Sequence, residues 1–170
     1  RVQVVRLFFM PSASVESPIA VAQRIADEDL FPTAQDIDRA LLIPLDRFAV
    51  LADAGLFGIV GPVKLGFGGL DVHELRRVMA AVSSGCGATF FAWAQHHGVV
   101  RTMSEASNGE LREAWLPRLC RGEVVAGTAF AHLRRADRRA VTAIREPGGW
   151  RLEGFAPWAT SWGIAEIFTV

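Results

Sequence analysis

The sequence predicts an α+β protein: an all-helical N-terminal domain over 1–122, then an incomplete antiparallel β-domain over 123–170. Three observations predict it. Apolar residues recur at helical spacing as far as Gly122. Beyond Gly122 the apolar runs are short, β-rich and bounded by turn residues. The two patterns are segregated, helices first and then strands, which means an α+β protein or two domains.

In the run from Val15 to Leu30, Ile19, Ala22, Ile25 and Ala26 share one helical face, and Pro32 is expected to end the segment. A second helix is predicted over 44–54, with Pro44 in its first turn, Gly55 as its stop and Leu45, Phe48, Leu51 and Ala52 as its apolar stripe. The glycine-rich run GLFGIVGPVKLGFGGL (55–70) lacks the order of a nucleotide-phosphate loop, so it reads as a connector packed closely against helices. Asp71 and Glu74 form a capping box, Leu70 and Leu75 a hydrophobic staple, and Gly85 ends that helix. Residues 88–106 are apolar on nearly all sides and read as a buried central helix. Ser107 and Glu110 suggest another capping box, opening a helix with Leu111, Trp115 and Leu119 that stops at Gly122. Strands are predicted over 123–131, 140–146, 149–154 and 165–170, with Pro147-Gly148-Gly149 as a hairpin loop. Four short strands leave raw edges, so the β part reads as the start of a larger, truncated domain.

Composition narrows the function. The chain has 170 residues, 51% hydrophobic and 21% charged, an ordinary globular balance. Its 18 basic residues match its 18 acidic ones, so it has no electrostatic footprint for nucleic acid or an anionic membrane. The arginines of HLRRADRR (132–139) read as a solvated loop. No apolar run reaches the roughly 18 residues a membrane span needs. Cys86 and Cys120 lack metal-ligand spacing and read as buried free thiols, which suits a cytoplasmic location. His96-His97 reads as a core pair bonded to backbone in preference to a catalytic one, and no metal site is predicted. The serines have no nucleophile-elbow context.

Three stretches, in order, resemble the acyl-CoA dehydrogenase family. LADAGLFGIVGPVKLGFGGL is similar to its glycine-rich loop, NGELREAWLPRLCRGEVVAGTAF to its W-L-P helix and first strand, and GGWRLEGFAPWATSWGIAEIFTV to its W-I-T region. The resemblance covers most of the chain from about Leu51. It implies a helical domain followed by a β-domain, FAD as cofactor, an acyl-CoA or related substrate, and association into a homo- or hetero-oligomer. It implies α,β-oxidation of the acyl thioester with hydride transfer to FAD. The catalytic base of the family comes from a C-terminal domain, so it is expected beyond residue 170. Trp158 and Thr160 fall on the W-I-T positions, where the Trp packs beside the flavin ring and the Thr hydroxyl lies near its reactive nitrogen. Ala129, Ala131 and His132 fall on the strand whose backbone meets the flavin pyrimidine edge. There the family reads T-E-P-x-A-G-S-D. This chain reads AFAHLRRADRR, with His132 in place of the Thr and no counterpart of the Ser. That departure keeps two other readings open: a flavin-dependent monooxygenase of the same fold, and a non-catalytic partner subunit.

Overall fold

The computed structural model describes residues 16–134 and 141–170. Most of the arginine-rich run read as a solvated loop therefore lies outside the described residues. Helices occupy the chain to Cys120 and strands begin at Ala126, as the change of period predicts.

Helix α1 (Pro18–Ile25) opens on Ser17, whose side chain accepts from the Ala20 N–H. Its expected face is buried through Ala22, Ile25 and Ala26. Pro32 does not end the segment. The helix widens into a π-turn (Ala26–Leu30), tightens to a 3-10 turn (Phe31–Thr33) and continues as α2 (Ala34–Arg39). Carbonyls freed by the missing proline N–H are taken up elsewhere. Thr33 Oγ1 donates to the Asp29 carbonyl at 3.2 Å, and Arg47 Nη1 donates to the same oxygen at 2.7 Å. With those groups satisfied, the proline bends the path rather than stopping it.

Helix α3 (Asp46–Asp53) buries Phe48 and Leu51, while Leu45 of the expected stripe is exposed. The glycine-rich run then folds on itself. Gly68 sits at φ 67°, and a Cβ there would lie 2.3 Å from the Gly61 carbonyl oxygen, so only glycine fits. Helix α4 (Val72–Gly85) carries the predicted capping box. Asp71 Oδ1 accepts from the Glu74 N–H at 2.8 Å, and Glu74 Oε2 accepts from the Asp71 N–H at 3.0 Å. The capping box expected at Ser107 is absent. Helix α6 (Gly109–Cys120) is capped by Asn108, which accepts from the Leu111 N–H at 3.0 Å. Asparagine caps as well as serine, and starting one residue later moves Glu110 off the position that could reach back.

Helix α5 (Gly87–Ser104) is the central element. Thr89, Ala92, Trp93, His96, His97, Val99, Val100 and Met103 are buried. It is not enclosed on all sides, because Phe91 and Gly98 mark an exposed strip. One apolar cluster joins α1, α3, α4 and the first half of α5, and a second joins its second half to α6 and the strand that follows. Cys86 and Cys120 are buried free thiols.

The strands make two separate pairs. β2 (Val141–Glu146) and β3 (Gly149–Gly154) form the predicted antiparallel hairpin, turned by Pro147 and by Gly148 at φ 90°. β1 (Ala126–Thr128) and β4 (Ile167–Thr169) pair in parallel, with Thr128 opposite Thr169, which corrects the all-antiparallel expectation. The hairpin and its flanking loops act as the crossover that a parallel pair needs. Direction between strands so far apart in sequence leaves no mark on their alternation.

Gly85 fixes how closely α4 meets the π-turn. A Cβ there would lie 2.8 Å from Ala26 Cα and 2.9 Å from Leu30 Cβ. Gly85→Ala is expected to destabilise the protein by about 1–3 kcal/mol. Gly87→Ala, with open space around it, is expected to be near neutral. Urea midpoints at unchanged slope check both.

Candidate functional site

The site starts from β1. Strand alternation sends Thr128 and Phe130 to one face and Ala129 to the other, into the core. The register with β4 is held by the Ala129 N–H donating to the Thr169 carbonyl at 2.8 Å and the Glu166 N–H donating to the Val125 carbonyl at 3.1 Å. On the cleft side, the Thr160 N–H donates to the Thr128 carbonyl at 2.9 Å. That bond brings the Trp158–Thr160 step against β1. The step ends in a tight turn, in which the Ser161 carbonyl accepts from Ile164 N–H at 3.0 Å and Ala165 N–H at 2.8 Å. Ser161 itself lies at φ 64°, among the described residues the only non-glycine in the left-handed region. Such strain persists where the surroundings over-determine it.

Together these elements bound a cleft of about 460 Å³. Phe91, Gln95, Thr128, Phe130, Ala131, Trp158 and Thr160 line it. Phe91 and Gln95 are one turn apart on α5, and Trp158 faces solvent with 60% of its surface exposed. Thr128 Oγ1 donates to Gln95 Oε1 at 3.1 Å. Among the described residues no ionisable side chain lines the cleft.

Of the five residues singled out from sequence, Ala131, Trp158 and Thr160 meet at this cleft, and Ala129 lies behind it with its N–H committed to β4. His132 falls in the short 3-10 turn Ala131–Arg134, and its side chain is outside the description. Sequence reasoning missed Phe91, Gln95, Thr128 and Phe130. The available signal was spacing: Phe91 and Gln95 are i, i+4 on a helix, and Thr128 and Phe130 are i, i+2 on a strand.

His96-His97 lies behind the cleft, in the core. The Ala126 N–H donates to His96 Nδ1 at 3.0 Å, so the proton sits on Nε2, which donates to the Leu119 carbonyl at 3.1 Å. This is the core role expected from sequence. Burial lowers the His96 pKa to about 4 despite that carbonyl. Burial, with the neighbouring charges of His96 and Arg101, lowers His97 to about 3. His97 stacks edge-on against Trp93 with ring centroids 4.5 Å apart, and among the described residues neither its nitrogens nor Trp93 Nε1 has a hydrogen-bond partner, so the backbone bonding expected of the pair is made by His96 and not by His97.

Residues 16–123 match the model of the acyl-CoA dehydrogenase N-terminal domain. The chain belongs to the acyl-CoA dehydrogenase family. It is 27% identical over 151 residues to the benzylmalonyl-CoA dehydrogenase of Aromatoleum aromaticum, covering 86% of this chain and 40% of that protein. It is 25% identical over 158 residues to the mitochondrial short-chain specific acyl-CoA dehydrogenase of Homo sapiens, covering 87% of this chain and 38% of that protein. The chain thus spans well under half the length of these relatives. Among solved structures, a glutaryl-CoA dehydrogenase from Mycobacterium smegmatis in complex with FADH2 superposes with a TM-score of 0.79 at 17% identity, over 90% of this chain and 40% of that one. PigA with FAD and proline gives 0.71 at 21% identity, over 95% and 44%. At these identities the structural likenesses speak for the fold. No helix among the described residues is long and apolar enough to cross a membrane.

His96→Phe would leave the buried Ala126 N–H without its acceptor, while the Leu119 carbonyl keeps the Gly122 N–H, and a loss of about 1–3 kcal/mol is expected. The pH dependence follows from the lowered values. Unfolded histidine binds a proton near pH 6.5, whereas the folded pair stays neutral to about 4 and 3. Stability is therefore full above about pH 6.5 and falls as the pH drops toward the folded values, by up to about 1.4 kcal/mol per pH unit per histidine. Denaturation curves between pH 7.5 and 4.5 check this, and in His96→Phe the slope should be shallower.

Proposed function

We propose that the protein is an FAD-dependent oxidoreductase that oxidises an acyl thioester between its α and β carbons, and that this chain supplies one wall and the floor of the flavin-ring site. The observation that carries the reading is Trp158. A large apolar ring held at the mouth of a cleft, mostly exposed and beside a threonine, forms a surface for a flat ligand rather than part of a core. The cleft volume lies in the range of small-molecule sites. Its lining also fits the group: three aromatic side chains for a planar ring system, and Gln95, Thr128 and Thr160 for its polar edge. Acyl-CoA as substrate class is supported by the names of the relatives, among them benzylmalonyl-CoA and short-chain acyl-CoA dehydrogenases.

When bound, FAD supplies a ring that accepts hydride. The chain's own residues bind and orient. Trp158 would offer an apolar surface to the ring, and Phe91 and Phe130 would limit the access of water to the cleft. The Thr160 hydroxyl would tune the ring by hydrogen bonding. Backbone contacts from Ala131 and His132 belong to the same reading. With no ionisable lining residue among those described, abstraction of the substrate proton falls to a group outside this cleft wall.

Trp158→Ala is expected to weaken FAD binding by about 10–100-fold, from about 1.5–3 kcal/mol of lost apolar contact. Thr160→Val is expected to keep the flavin and shift its reduction potential. Fluorescence titration and spectroelectrochemistry on the full-length protein read these effects. Anaerobic bleaching of bound flavin by an acyl-CoA tests the reaction itself. Failure to take up FAD would sink the flavin reading and leave a non-catalytic partner subunit. Bound flavin that no acyl thioester bleaches would move the assignment to a monooxygenase.

A further inference from the structure

We infer that Gln95 is a flavin-binding residue, whose carboxamide N–H donors meet a carbonyl on the pyrimidine edge of the ring, and that Thr128 positions it. The inference rests on the flavin reading of the cleft. A carboxamide has two acceptor lone pairs on oxygen and two donors on nitrogen. Thr128 Oγ1 donates to Gln95 Oε1 at 3.1 Å, and Thr128 is buried in β1. The hydroxyl thus holds the amide by its oxygen end. Gln95 is only partly buried and lines the cleft, so the donor end is the end left to serve a ligand. Among the described residues the cleft offers no cation that could meet an acceptor-rich edge. An oxidised isoalloxazine carries a carbonyl oxygen on each side of an N–H along one edge, and an uncharged amide donor complements either carbonyl. The arrangement is also rigid. Gln95 rises from α5 next to His96, which binds β1 at Ala126, two residues before Thr128.

The test is a double-mutant cycle on the full-length protein, read as FAD dissociation constant and flavin reduction potential. Gln95→Leu is expected to weaken FAD about 3–10-fold, as for one neutral hydrogen bond. It should also make the potential more negative, because donors at that edge favour the electron-rich reduced ring. Gln95→Glu, nearly isosteric, should do the same through loss of the donors. Thr128→Val should give a smaller change in the same direction, and Thr128→Val added to Gln95→Leu should change nothing further. Wild type that binds FAD while Gln95→Leu and Gln95→Glu bind it equally well, at an unchanged potential, would overturn the inference and leave the flavin reading intact. Additive effects of the two substitutions would overturn the positioning role of Thr128. Wild type that binds no FAD would overturn both the inference and the reading beneath it.

Discussion

The rest of the site depends on one imidazole. His96 ties the carbonyl at the end of α6, which also accepts from the Gly122 N–H at 3.0 Å, to the first amide of β1, for which His96 Nδ1 is the acceptor. A neutral histidine suits this because one nitrogen donates while the other accepts. An amide side chain could do both as well, but it would not give the edge-on ring contact that His96 makes with Phe57 at 4.7 Å between ring centroids. Burial keeps the ring uncharged, and the uncharged ring keeps an acceptor for Ala126. The low pKa and the geometry therefore have the same cause.

Once β1 is fixed on α5, the remaining geometry follows through short bonds. Thr128 comes opposite Gln95, the Thr128 carbonyl draws in the Thr160 amide, and the parallel pairing of β1 with β4 draws the chain after Thr160 back across the helix. Ser161 absorbs the mismatch between the step that faces the cleft and the strand that must return, which accounts for its position at φ 64°. Site residues are thus held by two regular elements and a strained turn, an arrangement that fixes side-chain positions better than a free loop does.

Low identity with high structural likeness follows from the same economy of contacts. The fold requires close backbone approaches at Gly58, Gly68 and Gly85, an apolar face on each helix, and the α5–β1 bridge. The stretch after Phe130 departs from the family pattern, yet its first residue, Ala131, lines the cleft together with Trp158 and Thr160.

The sequence by itself determined the elements whose cause is local. The capping box at Asp71, the αL stops at Gly55 and Gly122, the Pro147-Gly148 hairpin and the change of period near Gly122 all act over a few residues, and all are present. It also pointed to Trp158 and Thr160, through a motif. Only the tertiary structure decided the outcomes that depend on distant partners. Arg47 and Thr33 satisfied the carbonyls that let the chain continue through Pro32. β4 ran parallel to β1 because the hairpin served as its crossover. Phe91 and Gln95 became cleft residues because β1 and the Trp158–Thr160 step left one strip of α5 uncovered. Helical periodicity specifies that a face exists. What covers that face is set by segments tens of residues away, whose arrival depends on hydrogen bonds that no local pattern encodes.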